Sequence, residues 1–176
     1  GQSKKAFDDK KVRVALAEKN IPYELNPVFP GSDDPEFRAL SPFGKVPAFR
    51  DEHIGLADSS VICAYIEKRY PTPALLPADP AAYATALWLE EYADSKLFDV
   101  LTAGVFFERI VKGKMRGLPV DEAKVAAALH ELPAVCGYLE QQITTGALGG
   151  NTLTLGDIAV ATQFVNLQYA GEQVDA

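Results

Sequence analysis

Ser41-Pro-Phe-Gly-Lys-Val-Pro-Ala-Phe49, "SPFGKVPAF", holds two prolines, one glycine and one lysine in nine residues, then runs into apolar chain. Glycine admits backbone angles that other residues avoid, and proline fixes φ, so the stretch specifies a shaped turn. Working outward, "VPAFRDEHIGLAD" reads as a hairpin: Val46 to Arg50, a turn at Asp51-Glu52, then Ile54 to Ala57. "DSSVICAYIEKRYP" reads as a helix with a polar start, apolar at Val61, Ala64 and Tyr65, and ended by Pro71 and Pro73. Upstream, "DDKKVRVALAEKN" places Val12, Ala15, Leu16 and Lys19 on one helical stripe with acids at its start. A strand from about Ile21 to Val28 follows. Then comes a short helix in "SDDPEFRALS", with Ser32 or Asp33 as its N-cap and Glu36 in its first turn.

The pattern changes after "PTPALLPADP", four prolines in ten residues, which reads as a linker. From Ala81 to about Lys112 the chain is Ala/Leu-rich and helical. "GLPVDEAKVAAALHELPAVCGYLEQQI" makes a second helix, where Pro119 and Asp121-Glu122 suit a first turn and Pro133 predicts a kink. "TLTLGDIAVATQFVNLQYA" makes a third. Thr154 and Asp157 have the spacing of a capping box, and Leu153 and Ile158 that of a hydrophobic staple.

Composition bounds the function. The chain has 176 residues, 48% of them apolar, with a net charge of −7. Its cations are scattered, so neither nucleic acid nor an anionic membrane is an expected partner. No apolar run approaches the ~20 residues of a membrane span. His53 and His130 are the only histidines, and no CxxC, HExxH or metal-spaced carboxylate cluster occurs, so no metal site is expected. Cys63 and Cys136 fall in apolar helical patterns, which favours reduced core thiols in a cytoplasmic setting. Trp88, Tyr92, Phe106 and Phe107 read as core or domain-interface aromatics, some of them candidates to line an acceptor pocket.

Taken in order, "KVRVALAEKNIPYE", "PFGKVPAF", "LADSSVICAYIEKRYP", "LLPADP" and "TLTLGDIAVA" resemble the glutathione S-transferase family from Lys11 to about Ala170. The resemblance implies an α/β thioredoxin-like N-terminal domain (residues 1–77) followed by an all-α helical-bundle domain (78–176). It also implies a cytoplasmic homodimeric detoxification enzyme with glutathione as co-substrate and a small electrophile as acceptor. In the family the proline matching Pro47 is cis, and the N–H and C=O matching Val46 pair with the cysteinyl backbone of glutathione. By the same match Lys45 faces the glycyl carboxylate. The Ser59 hydroxyl and the N–H groups of its helix start face the γ-glutamyl carboxylate, and Asp58 accepts from the γ-glutamyl ammonium. Without the resemblance, Lys45 is an ordinary solvated lysine and Asp58-Ser59 an ordinary helix cap.

The sequence departs from the family at both ends. Members begin with a strand and carry a Ser, Tyr or Cys before the first helix, which stabilises or supplies the reacting thiolate. Lowering a thiol pKa from ~8.5 to ~6.5 takes about 2.7 kcal/mol of selective stabilisation. Here Ala6 occupies that position, Asp8 and Asp9 follow, and Ser3 is the nearest hydroxyl, about three residues early. Ala6 cannot activate a thiol, and carboxylates nearby raise its pKa, so the catalytic residue is unassigned, with Ser3 the candidate hydroxyl. The first strand is expected to be short or altered and the helical domain shorter than the family's. The readings are therefore a glutathione transferase, a non-catalytic glutathione-binding or scaffold protein of the same fold, and a glutathione-dependent reductase or isomerase.

Overall fold

In the computed structural model, which describes residues 4–7 and 9–174 (5–7 by backbone alone), the chain divides between Leu76 and Pro77 into two compact units. In the first, β1 (Lys5–Phe7) pairs in parallel with β2 (Glu24–Asn26) across α1 (Lys10–Glu18). β3 (Ala48–Arg50) runs antiparallel to β1, and β4 (Gly55–Ala57) antiparallel to β3, giving the order β2-β1-β3-β4. α2 (Pro35–Leu40) packs on β3 and β4, and α3 (Ser59–Arg69) packs against α1. This is the thioredoxin-like arrangement that the resemblance implies.

Every strand is three residues long, so the expected strands at 21–28, 46–50 and 54–57 are trimmed to the positions where ladder partners exist. The first strand is present but short, and Ala6 lies inside it, opposite Leu25 and Phe49. The cap of α2 is Asp34, whose carboxylate accepts from the Phe37 N–H at 2.8 Å, while Ser32 accepts from the Asp34 N–H one step earlier. The core joins Val12, Ala15 and Leu16 of α1, Phe37 of α2, Phe49 of β3 and Ile62, Cys63 and Ile66 of α3. At the β3–β4 turn the buried Asp51 accepts from the His53 and Ile54 N–H groups and from the Tyr65 hydroxyl at 2.7 Å. Burial and that carboxylate push the Tyr65 pKa up to about 12.

Lys19 completes the apolar stripe of α1 by position, but it is a buried ion. Its ammonium lies 2.7 Å from Glu67 and donates to the Tyr70 and Pro73 carbonyls at 2.8 and 2.6 Å. The Glu67 carboxylate accepts from the Leu75 and Leu76 N–H groups. The proline-rich segment that reads as a linker is thus tied to α3, with Leu75 buried.

The second unit is helical: α4 (Pro80–Tyr92), π1 (Ala93–Met115), α5 (Glu122–Thr144) and α6 (Leu155–Tyr169). α4 and π1 are the single long helix of the sequence, but π1 takes the wider π-helical register, which is rare beyond one turn. α5 runs through Pro133 without interruption. α6 begins at the expected capping box: Thr154 Oγ1 accepts from the Asp157 N–H and Asp157 accepts from the Thr154 N–H. Ile158 is buried, whereas Leu153, its expected staple partner, is exposed. α4 and α6 approach closely at Gly156, where an added Cβ would lie 2.8 Å from the Ala86 carbonyl oxygen.

Glu108 on π1 is 4% exposed and gathers Lys112, the Asp121 N–H and Lys124 within 2.8–3.2 Å. Those donors, Lys112 first, hold its pKa well below the ordinary 4.5, at about 2. Trp88 and Phe107 are exposed rather than core, and Trp88 Nε1 donates to the Tyr138 hydroxyl at 2.5 Å. Cys136 is half-buried, and burial raises its thiol pKa.

Removing one partner of a buried ion pair strands the other, so Glu67→Ala should cost about 3–5 kcal/mol, read as a lower urea midpoint. A depressed carboxyl pKa stabilises the fold above its ordinary value and loses that contribution as pH falls. Acid titration of unfolding should therefore show stability falling between pH 4.5 and about 2, a component that Glu108→Gln should remove.

Candidate functional site

The β3–β4 hairpin sets two loops side by side. Its pairing continues one step beyond the strands, where the Asp58 N–H donates to the Pro47 carbonyl at 3.3 Å. Lys45-Val46 and Asp58-Ser59, a dozen residues apart in sequence, therefore flank the same end of the hairpin. The Val46–Pro47 peptide bond is cis, as the resemblance implies.

On the first loop, Gly44 adopts φ +64°, and an added Cβ there would lie 2.6 Å from the Arg38 guanidinium. Arg38 donates to the Ser32 and Gly31 carbonyls, and the Gly31 N–H donates to the Gly44 carbonyl at 2.8 Å. These bonds hold the 29–32 loop against the turn. The Val46 side chain packs on Phe37 and Ala48. Among the described residues, no hydrogen bond engages the Val46 N–H or C=O. Lys45 is exposed, and its ammonium has no ion-pair partner among the described residues.

On the second loop, Asp58 sits at φ +79°, ψ 128°, a region that costs a non-glycine residue about 1–3 kcal/mol. Its Oδ1 accepts from the Ser60 and Val61 N–H groups at 3.0 and 3.1 Å. Two of the helix-start donors are therefore already occupied by Asp58, and Ser59 is the residue of α3 that opens beside the turn. Beneath them lies Lys11, a residue sequence reading passed over: it is 3% exposed, with Nζ 3.4 Å from the Ser60 hydroxyl. Its only signal in the sequence is its place one turn before Ala15 on the buried stripe of α1.

The position expected to hold a thiol-activating residue differs from a loop geometry, because Ala6 is paired within β1. The N-terminus of α1 is closed by Asp9, whose carboxylate accepts from the Val12 N–H at 3.1 Å. Ser3 lies outside the described residues. No cluster of His, Cys, Asp and Glu side chains suited to a metal ion occurs among the described residues, nor any helix long and apolar enough to cross a membrane.

A thioredoxin-like unit with a proline-fixed turn beside a serine-headed helix, followed by helices alone, defines the class of protein. Residues 9–74 match the family model described as "Glutathione S-transferase, N-terminal domain". A glutathione S-transferase of Hyoscyamus muticus is 34% identical over 155 residues, spanning 84% of this chain and 72% of its own length. FtsZ-localized protein A of Caulobacter vibrioides is 28% identical over 168 residues, 93% of this chain and 74% of that protein. The crystal structure of a glutathione S-transferase from Rhodospirillum rubrum superposes with a TM-score of 0.87 at 27% identity, covering 96% of this chain and 79% of that one. The chain belongs to the glutathione S-transferase family.

At Asp58 the cap and the strain oppose each other. Asp58→Ala loses the cap and keeps the strained angle, and should destabilise by about 1–2 kcal/mol. Asp58→Gly loses the cap but relieves the strain, and should cost clearly less. Equal losses in thermal unfolding would contradict this account of the angle.

Proposed function

We propose that the chain binds glutathione along Lys45, Val46, Asp58 and Ser59 and presents its thiol to a small electrophile, as a glutathione transferase. The observation that carries this reading is that the N–H and C=O of Val46, held between two anchored neighbours, are unengaged among the described residues. A peptide lying alongside closes both bonds by strand-like pairing, as the cysteinyl backbone of glutathione does. Lys45 supplies a point cation for the glycyl carboxylate. The Ser59 hydroxyl at the start of α3 faces the γ-glutamyl carboxylate, where the helix dipole favours negative charge. The Asp58 carboxylate accepts from the γ-glutamyl ammonium with the oxygen not committed to the cap. The reaction forms a carbon–sulfur bond from the thiolate to the electrophile, expels the leaving group, and passes the thiol proton to solvent.

A second reading, a glutathione-binding protein without transfer activity, is favoured by the β1–α1 junction. Ala6 offers no hydroxyl or thiol, and the Asp9 carboxylate occupies the helix end that would otherwise favour a thiolate. The similarity to a relative whose name records a localisation, not a reaction, accords with it.

Both readings share the binding site. Lys45→Ala and Ser59→Ala should each weaken glutathione binding by roughly tenfold or more, as a charge-assisted hydrogen bond contributes about 1.5–3 kcal/mol. Calorimetric titration checks this, and undiminished affinity in both variants rejects the site. Turnover of 1-chloro-2,4-dinitrobenzene supports the transferase. Retention on immobilised glutathione with no turnover supports the second reading.

A further inference from the structure

We infer that Ser41, which no ligand is expected to touch, is the positioning residue that aims the Val46 backbone at its partner; the inference rests on the glutathione reading above. Ser41 is 1% exposed, just past α2, where its N–H donates to the Phe37 carbonyl at 2.8 Å. Its own carbonyl accepts from the Gly44 N–H at 2.9 Å. Its hydroxyl grips both polar groups of one residue, donating to the Lys45 carbonyl at 2.7 Å and accepting from the Lys45 N–H at 3.1 Å.

The consequence follows from peptide planarity. The Lys45 carbonyl and the Val46 N–H share one rigid plane and point in opposite directions. Drawing the carbonyl onto the Ser41 hydroxyl therefore turns the Val46 N–H away from the protein. The preceding plane is held from both sides, because the Gly44 carbonyl accepts from Gly31 while the Lys45 N–H donates to Ser41. Beyond Val46, the Pro47 carbonyl is taken by Asp58. The Val46 donor is thus aimed before any ligand arrives, and preorganisation of this kind strengthens binding by removing the ordering cost. Without the hydroxyl, the Lys45–Val46 plane is free to rotate, and the donor must be ordered by the ligand itself.

The test compares glutathione with an isostere in which a neutral alkene replaces the Cys–Gly peptide bond, keeping the shape and removing the carbonyl acceptor. Both are titrated into the full chain well below its melting temperature. Wild type should prefer glutathione by about tenfold, the order of one directed hydrogen bond. Ser41→Ala should lose about that factor for glutathione and little for the isostere, so that the preference collapses. Ser41→Cys, which keeps a weaker donor and acceptor at this position, is measured beside it so that a folded variant is read, and should fall between the two. Equal losses for both ligands, or none, overturn the inference. If Lys45→Ala weakens glutathione binding while the Ser41 variants keep the preference, the binding site stands and the role of Ser41 falls. If wild type binds glutathione no better than the isostere, the Val46 reading fails and this inference with it.

Discussion

The first unit depends on the antiparallel pairing of β3 with β4, extended one step by the Asp58 N–H donating to the Pro47 carbonyl. That bond sets the Lys45-Val46 turn and the start of α3 on one edge, and it is made by a residue held at φ +79°. Strain at a non-glycine residue persists only where neighbouring structure over-determines it. Here the ladder fixes Asp58 from one side, and the Ser60 and Val61 N–H groups fix its carboxylate from the other. Asp51 closes the opposite end of the hairpin by capping its turn and receiving the Tyr65 hydroxyl from α3. The hairpin is therefore anchored to the same helix at both ends.

Buried charge plays a parallel part in each unit. Lys19 and Glu67 sit inside the first unit, where an unpaired ion would be costly, and each spends its remaining capacity on backbone groups: carbonyls for the ammonium, N–H groups for the carboxylate. In the second unit Glu108 does the same for the turn between π1 and α5. In both places an ion fixes a segment with no regular hydrogen-bond ladder of its own, and proline or loop composition gives little hint of that order.

The binding half-site and the chemistry of the thiol separate cleanly in this chain. On the proposed reading, the turn and the start of α3 receive a peptide with charged ends. The β1–α1 junction, in contrast, places a strand residue and a capping carboxylate where an activating group is expected. Binding draws on backbone geometry, which many side chains tolerate, whereas thiolate stabilisation needs one particular group at one place. A fold is therefore able to retain the first while the second changes.

Much of the architecture was legible in order and spacing. The stripe of α1, the existence of the hairpin, the Thr154–Asp157 cap and the change of pattern after Pro80 are local features, and local physics writes them into the chain, whereas α3 buries Ile62, Cys63 and Ile66 rather than Val61 and Ala64. Strand lengths, the Asp34 cap, the burial of Lys19 and the exposure of Trp88 were not legible, because each depends on a neighbour distant in sequence. The sequence by itself determined the order of helices and turns and the capping box that opens α6, because these follow from neighbours along the chain. Only the tertiary structure decided that Ser41 grips Lys45, that Asp58 is already committed to its helix, and that Ala6 lies within a strand, because hydrogen bonds across a turn or between strands are chosen when separate segments meet.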